Sequence, residues 1–213
     1  MKPYRDRAEA GRALAMALEE YRGRTDVVVL GLPRGGVPVA AEVATALGAP
    51  LDVFVVRKLG VPGHEEFAMG AIASGGVRVM NRAAVEGLAI PDHLIAEAVV
   101  REQRELERRE RQYRGNRPAP AVAGRVAILV DDGLATGSSM RAAVEALRNL
   151  KPARIVVAVP VGSSQTCRSL ELDADEVVCA MAPEDFQAVG LWYEDFRQTS
   201  DEEVHAALQR AAR

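Results

Sequence analysis

Two hydrophobic rhythms alternate along the chain. Continuous apolar runs occur in Asp26 to Leu32, Leu51 to Val56, Val126 to Val130, Arg154 to Val159 and Asp175 to Cys179. Such runs suit strands covered on both faces, as in a parallel sheet. Between them lie segments with helical spacing: Ala8 to Tyr21, Val37 to Leu47, Met140 to Leu150 and Ser163 to Leu172. Arg22-Gly23 stops the first of these. The alternation predicts an α/β fold, a three-layer α/β/α arrangement with a mostly parallel sheet and right-handed crossovers.

Three further segments depart from that rhythm. Phe67 to Ala73 and Gly76 to Met80 read as a hairpin around Ser74-Gly75-Gly76. Asp92 to Arg114 reads as a long helix whose arginines interleave with glutamates at three- and four-residue spacing, which marks a solvated, self-paired face in preference to an RNA surface. The last helix, Asp201 to Ala212, begins with Ser200 as cap and Glu203 at the capping-box position.

Chemistry concentrates after the run Val126 to Val130. Asp131 and Asp132 fall at its carboxyl end, where open α/β sheets place ligands. Ala135, Thr136, Gly137, Ser138 and Ser139 follow, immediately before a helix, so several backbone N–H groups converge with a helix N-terminus behind them. That arrangement holds a phosphate. An Asp-Asp-Gly turn followed by an ordinary N-cap is the plain alternative for each feature alone. Two carboxylates beside a phosphate cradle suit a sugar phosphate such as ribose 5-phosphate. The sequence has no Gly-x-x-x-x-Gly-Lys-Ser/Thr and no Gly-x-Gly-x-x-Gly after a strand.

A second strand, glycine loop and helix unit carries Pro33, Arg34, Gly35 and Gly36. A guanidinium beside unencumbered backbone is what a diphosphate needs. Arg57 and Lys58 end the second strand run on the ligand edge. Leu59 to Glu66, with two glycines and a proline, has the composition of a mobile lid in which His64 and Glu65 could take part. The stretch Phe186 to Glu203 contains the only Trp and four of the chain's nine aromatics, among them Trp192, Tyr193 and Phe196. Two readings stand for it, a stacking surface for a flat ligand and a satellite core anchoring the last helix.

Composition narrows the classes. With 213 residues, 48% of them hydrophobic, the chain has enough material for one domain with an appended lobe. Its net charge of −3 gives no reason to expect nucleic acid or a membrane surface as partner. No apolar run approaches the length of a membrane span, and the charged Met1 to Arg12 is unlike a signal peptide, so a cytoplasmic location is expected. Cys167 and Cys179 lack metal-binding spacing and are expected to be two buried thiols.

The stretch Val126 to Ser139 resembles the phosphoribosyl-pyrophosphate (PRPP) motif of the type I phosphoribosyltransferases: an apolar run, two acids, then Ala/Thr-Thr-Gly and small residues. The resemblance covers about residues 24 to 182. It implies that Asp131 and Asp132 hold the ribose hydroxyls and meet Mg²⁺ mainly through water, and that residues 135 to 139 cradle the 5-phosphate. Arg34, Gly35, Gly36 and Arg57 would meet pyrophosphate, with Lys58 assisting catalysis, and the tail aromatics would hold a nucleobase-like acceptor. The domain plan that follows has a core at about 24–58 and 124–182, with a hood at 59–123 and the tail 183–213. A homodimer is also among the expectations. Ala135 resembles the adenine enzymes of the family rather than the hypoxanthine–guanine enzymes, which place a third acid there. A non-catalytic regulator that binds PRPP or a nucleotide is the alternative. A haloacid dehalogenase-type hydrolase with Asp131 as nucleophile is poorer, because Asp131 is followed by Asp132-Gly133 and not by the Asp-x-Asp spacing of that type.

Overall fold

The computed structural model describes residues 2–62, 64–115, 117–119 and 121–211, the side chains of Glu65 and Glu66 excepted. Five parallel strands form the central sheet: β1 (Val27–Gly31), β2 (Leu51–Val53), β6 (Val126–Val130), β7 (Arg154–Val161) and β8 (Glu176–Met181). Their order is β2-β1-β6-β7-β8, so the chain reverses its winding direction between β1 and β6. Loops leaving the carboxyl ends of strands diverge at such a reversal and open a crevice. The paired register Val27 to Gly31 against Val126 to Val130 brings the ends of β1 and β6 level.

Both faces of the sheet are covered, which explains the unbroken apolar runs. Val27 and Val29 of β1, with Ile128 and Val130 of β6, pack on one side with α1 (Arg7–Ala17), α2 (Gly36–Leu47) and α7 (Asp201–Ala211). The alternate residues Val28, Leu30, Ala127 and Leu129 pack on the other with α5 (Ser138–Arg148) and α6 (Ser164–Leu170). At α7, the expected capping box is formed: Ser200 Oγ accepts from the Glu203 N–H at 3.2 Å, and Glu203 accepts from the Ser200 N–H at 2.9 Å.

A separate antiparallel sheet, β3 (Val56–Val61), β4 (His64–Ala73) and β5 (Val77–Met80), forms the smaller lobe. This corrects one expectation: the apolar run Leu51 to Val56 divides between two sheets. The expected hairpin is formed, as β4 and β5 of the smaller sheet. Leu59 to Glu66, expected as a lid loop, largely supplies the facing arms of β3 and β4; Gly63 and the side chains of Glu65 and Glu66 lie outside the described residues. Leu59, Val61 and Met69 are buried in the main core, and register shifts on either side of Gly60 absorb the glycine that reads as a loop former.

α4 (Asp92–Arg114) has the bounds its pattern predicts, and a short α3 (Arg82–Gly87) precedes it. Its charges serve the fold. Glu105 receives Arg108 and Arg109, which hold its carboxyl down to about 2. Arg114 is buried against Asp52 at 3.2 Å and also donates to the Val53 carbonyl at 3.1 Å. Tyr113 donates to Asp201 at the start of α7 at 2.7 Å. No helix among the described residues is long and apolar enough to cross a membrane.

The expectation of two buried thiols is also corrected. Cys167 on α6 and Cys179 on β8 form a disulfide, with Cα atoms 6.6 Å apart. The chain between them turns back so that α6 lies on β8, a juxtaposition that motif spacing along the chain does not reveal.

Candidate functional site

The loops after β1 and β6 meet at the reversal point. Leu32 donates its N–H to the Val130 carbonyl at 2.9 Å, which ties one loop to the root of the other. The Pro33–Arg34 peptide is cis. Gly35 and Gly36 then run directly against the acid pair: a Cβ on Gly35 would lie 2.0 Å from Asp132 Oδ2, and one on Gly36 would lie 2.5 Å from the Val130 carbonyl and 2.8 Å from Asp131 Cα. Only glycine permits this approach. The backbone of the Pro33 to Gly36 loop is thereby placed beside Asp131 and Asp132, although Arg34 extends its guanidinium toward Asp201, 3.9 Å away.

Asp131 accepts the backbone N–H of Asp132 at 2.9 Å. Burial pushes the Asp131 carboxyl well above the usual carboxylate range, and the neighbouring Asp132 charge adds to the rise. Asp132 is also raised by burial, with Arg7 opposing the shift. Arg7, the first residue of α1, donates from Nε and Nη2 to Asp132 Oδ2 at 2.9 and 2.8 Å. Both side chains are largely withdrawn from water, at 12% and 16% exposure.

The loop of residues 135 to 139 occupies the next turn. Gly137 adopts φ +71° and caps α5, and the first intrahelical bond runs from Arg141 N–H to the Gly137 carbonyl at 2.8 Å. The amides of Ser138, Ser139 and Met140 therefore precede the intrahelical ladder, and the Ser138 N–H donates to Thr136 Oγ1 at 3.4 Å. Two contacts tether the loop's carbonyls. Thr166 Oγ1 donates to Ala135 O at 2.7 Å, and Arg141 Nη1 donates to Thr136 O at 3.1 Å. Thr166 in turn receives Ser163 Oγ at 2.8 Å, while Arg141 is also held by Ser169 at 2.5 Å. Ala135, Thr136, Ser138 and Ser139 are exposed.

The remaining candidate residues have mixed placements. Arg57 gives its guanidinium to Glu102 of α4 at 2.5 and 2.9 Å. Lys58 is exposed on β3, on the strand face of Val56, whose side chain packs with the α5 side of the core. Tyr193 is buried and donates its hydroxyl to the Asp132 carbonyl at 2.6 Å. Its ring lies 5.0 Å from Phe196 and 5.9 Å from Tyr4. Trp192 is half-buried beside the same cluster. Among the described residues there is no group of three or more His, Cys, Asp or Glu able to hold a metal ion.

Three residues at the site are not reached by sequence reasoning: Arg7, Thr166 and Arg141. Each acts on a motif that is distant in the chain or on a backbone carbonyl. The cap at Ser163 is the one cue to Thr166, since Ser163 also accepts the Thr166 N–H at 3.0 Å.

Comparison with known proteins finds relatives of the chain. A family model described as phosphoribosyl transferase domain matches residues 4–194. A Mycobacterium tuberculosis protein named "Putative phosphoribosyl transferase Rv0571c" is 50% identical over the whole of this chain, which spans about half (48%) of that relative's length. The crystal structure of TT1426 from Thermus thermophilus is 46% identical, with a TM-score of 0.87 over 99% of both chains. The AQ2163 protein from Aquifex aeolicus shares the fold at a TM-score of 0.50 and 10% identity, over 86% of this chain and 78% of that one.

Proposed function

The chain belongs to the phosphoribosyl transferase domain family, and from that premise we propose that it transfers the 5-phosphoribosyl group of PRPP to an acceptor nitrogen with release of pyrophosphate. The observation that carries the reading is the contact of Gly35 and Gly36 with Asp132 and Asp131, beside the loop that opens α5. It supports one crevice with a backbone cradle on either side of two carboxylates in this reading. PRPP has the matching order of groups: a diphosphate, a ribose with two hydroxyls, and a 5-phosphate.

In this reading the 5-phosphate sits on the amides of residues 137 to 140, where the helix N-terminus favours negative charge. The ribose hydroxyls donate to Asp131 and Asp132. The diphosphate follows the Arg34 to Gly36 backbone, with Lys58, exposed on β3, as its cation. The chain's contribution to rate is positioning and charge placement, because an oxocarbenium-like ribose and a departing diphosphate need no protein nucleophile.

Mg²⁺ fits the site in a limited sense. The two adjacent carboxylates are hard oxygen donors, and without a third acidic ligand among the described residues they suit an ion that arrives with the diphosphate and meets Asp131 and Asp132 mainly through water. Bound there, the ion would supply charge neutralisation for the leaving group. A nucleobase-like acceptor would enter near the tail, where Trp192 is the half-buried ring beside Tyr193 and Phe196.

Calorimetric titration of Mg-PRPP tests the site assignment. The wild type binds, and the Asp131→Asn/Asp132→Asn variant, folded by circular dichroism, loses that binding. Undiminished affinity in the folded variant refutes the assignment.

A further inference from the structure

Asp132 is held at three points. Its N–H donates to Asp131 Oδ1 at 2.9 Å, its carbonyl accepts the Tyr193 hydroxyl at 2.6 Å, and its Oδ2 accepts both Nε and Nη2 of Arg7 at 2.9 and 2.8 Å. Both arginine bonds fall on the same oxygen. Oδ1 therefore has no hydrogen-bond partner among the described residues, and the carboxylate cannot rotate without breaking two charge-assisted bonds.

Arg7 is itself fixed. Nη1 donates to the Arg197 carbonyl at 2.8 Å, and the guanidinium lies 4.3 Å from the Phe196 ring centroid. The segments that carry these groups are bonded together: Tyr4 N–H to Trp192 O at 2.9 Å, Glu194 N–H to Tyr4 O at 2.8 Å and Asp195 N–H to Arg5 O at 2.9 Å. The helix gives no reason for a cation here. Arg7 begins α1, and a positive charge in a first helical turn is unfavourable to the macrodipole.

We propose that Arg7 is a positioning residue for ribose recognition: it engages Asp132 Oδ2 so that Oδ1 faces the crevice as a fixed acceptor for a ribose hydroxyl. This rests on the PRPP reading of the site. Arg7 itself touches no reacting atom. The tail aromatics then have a specific task, since Phe196 supports the guanidinium and Tyr193 secures the Asp132 backbone from the other side.

The test compares two ligands that share the diphosphate and differ in the sugar. Mg-PRPP and Mg-pyrophosphate are titrated into wild type, Arg7→Gln and Arg7→Lys. Losing charged hydrogen bonds to the aligning carboxylate lowers PRPP affinity of Arg7→Gln about tenfold, while pyrophosphate affinity stays within about twofold. Arg7→Lys recovers part of the loss, because it restores charge without the two-pronged donor. A ligand-free readout accompanies this: melting temperatures of Arg7→Gln, Asp132→Asn and the double variant are non-additive if the contact is formed in solution.

Unchanged PRPP affinity in Arg7→Gln overturns the proposal. Tighter PRPP binding also overturns it, by making the arginine a plug that competes with ribose. An equal loss for both ligands shows a merely structural role, and additive melting temperatures remove the contact itself. Failure of the PRPP reading looks different: the wild type then binds no PRPP, whatever occupies position 7.

Discussion

Replacing the two loop glycines by alanine separates contact with a side chain from contact with backbone. In Gly36→Ala the new methyl would sit 2.5 Å from the Val130 carbonyl oxygen and 2.8 Å from Asp131 Cα. Neither atom belongs to a side chain that can swing aside, so the β1 loop must lift from the end of β6. In Gly35→Ala the clash is with the Asp132 carboxylate, at 2.0 Å from Oδ2 and 2.7 Å from Cγ. Relief needs a carboxylate movement of about 1 Å or more, which breaks its bonds to Arg7. Overpacking of this kind costs about 1–3 kcal/mol, and each kcal/mol lowers the melting temperature of a chain this size by roughly 2–4 °C. Scanning calorimetry and Mg-PRPP titration on both variants form the assay. Gly36→Ala loses both stability and PRPP affinity, whereas Gly35→Ala loses affinity with the smaller thermal penalty. Wild-type melting temperature and wild-type affinity in Gly36→Ala would refute the close-approach argument.

Two further outcomes are expected. Asp131 has a raised pKa in the folded protein, so the native state holds its proton more tightly than the unfolded chain, and stability declines as pH rises from the unfolded pKa through the folded one. Asp131→Asn, which keeps the acceptor for the Asp132 N–H, therefore melts higher than wild type at neutral pH, and the difference closes below the ordinary carboxylate range; thermal scans across pH measure this. Thr166→Val removes the donor to Ala135 O, with an expected loss of about 1 kcal/mol and about fivefold weaker PRPP binding. Titration of Mg-PRPP against the variant measures it, and undiminished affinity would show that the loop carbonyl needs no tether.

The legible parts of the fold are those whose causes are local. Val126 to Val130 reads as a buried strand because every residue in it is covered, and α4 is bounded correctly because its apolar and charged periods persist over the whole segment. Asp131, Asp132 and residues 135 to 139 are contiguous with that strand, so a single stretch displays the acid pair and the loop that opens α5 together. Gly35 and Gly36 stand out by their position after β1, but the reason for them, contact with Asp132 and Asp131, depends on the pairing of β1 with β6.

What sequence does not display arises from long-range packing. Arg7 lies 125 positions from its partner Asp132, and nothing in a charged N-terminal stretch distinguishes it from its neighbours. The tail aromatics admit two readings from sequence. Tyr193 joins a satellite cluster and bonds to Asp132, so its position serves packing and the site at once. The Leu59 to Glu66 stretch is obscured by its glycines and proline, since burial of Leu59 and Val61 against the main core outweighs their loop tendency. The Cys167–Cys179 pairing likewise requires α6 to be laid on β8 before the two residues become neighbours.

The most direct test of the central claim is pyrophosphate release from Mg-PRPP, followed across a panel of nucleobases with a no-base control and the Asp131→Asn/Asp132→Asn variant alongside. The account predicts release that depends on an acceptor and vanishes in the variant. PRPP binding without release for any acceptor would contradict transfer and favour a ligand-binding regulator, and release that persists in the folded variant would contradict the site itself.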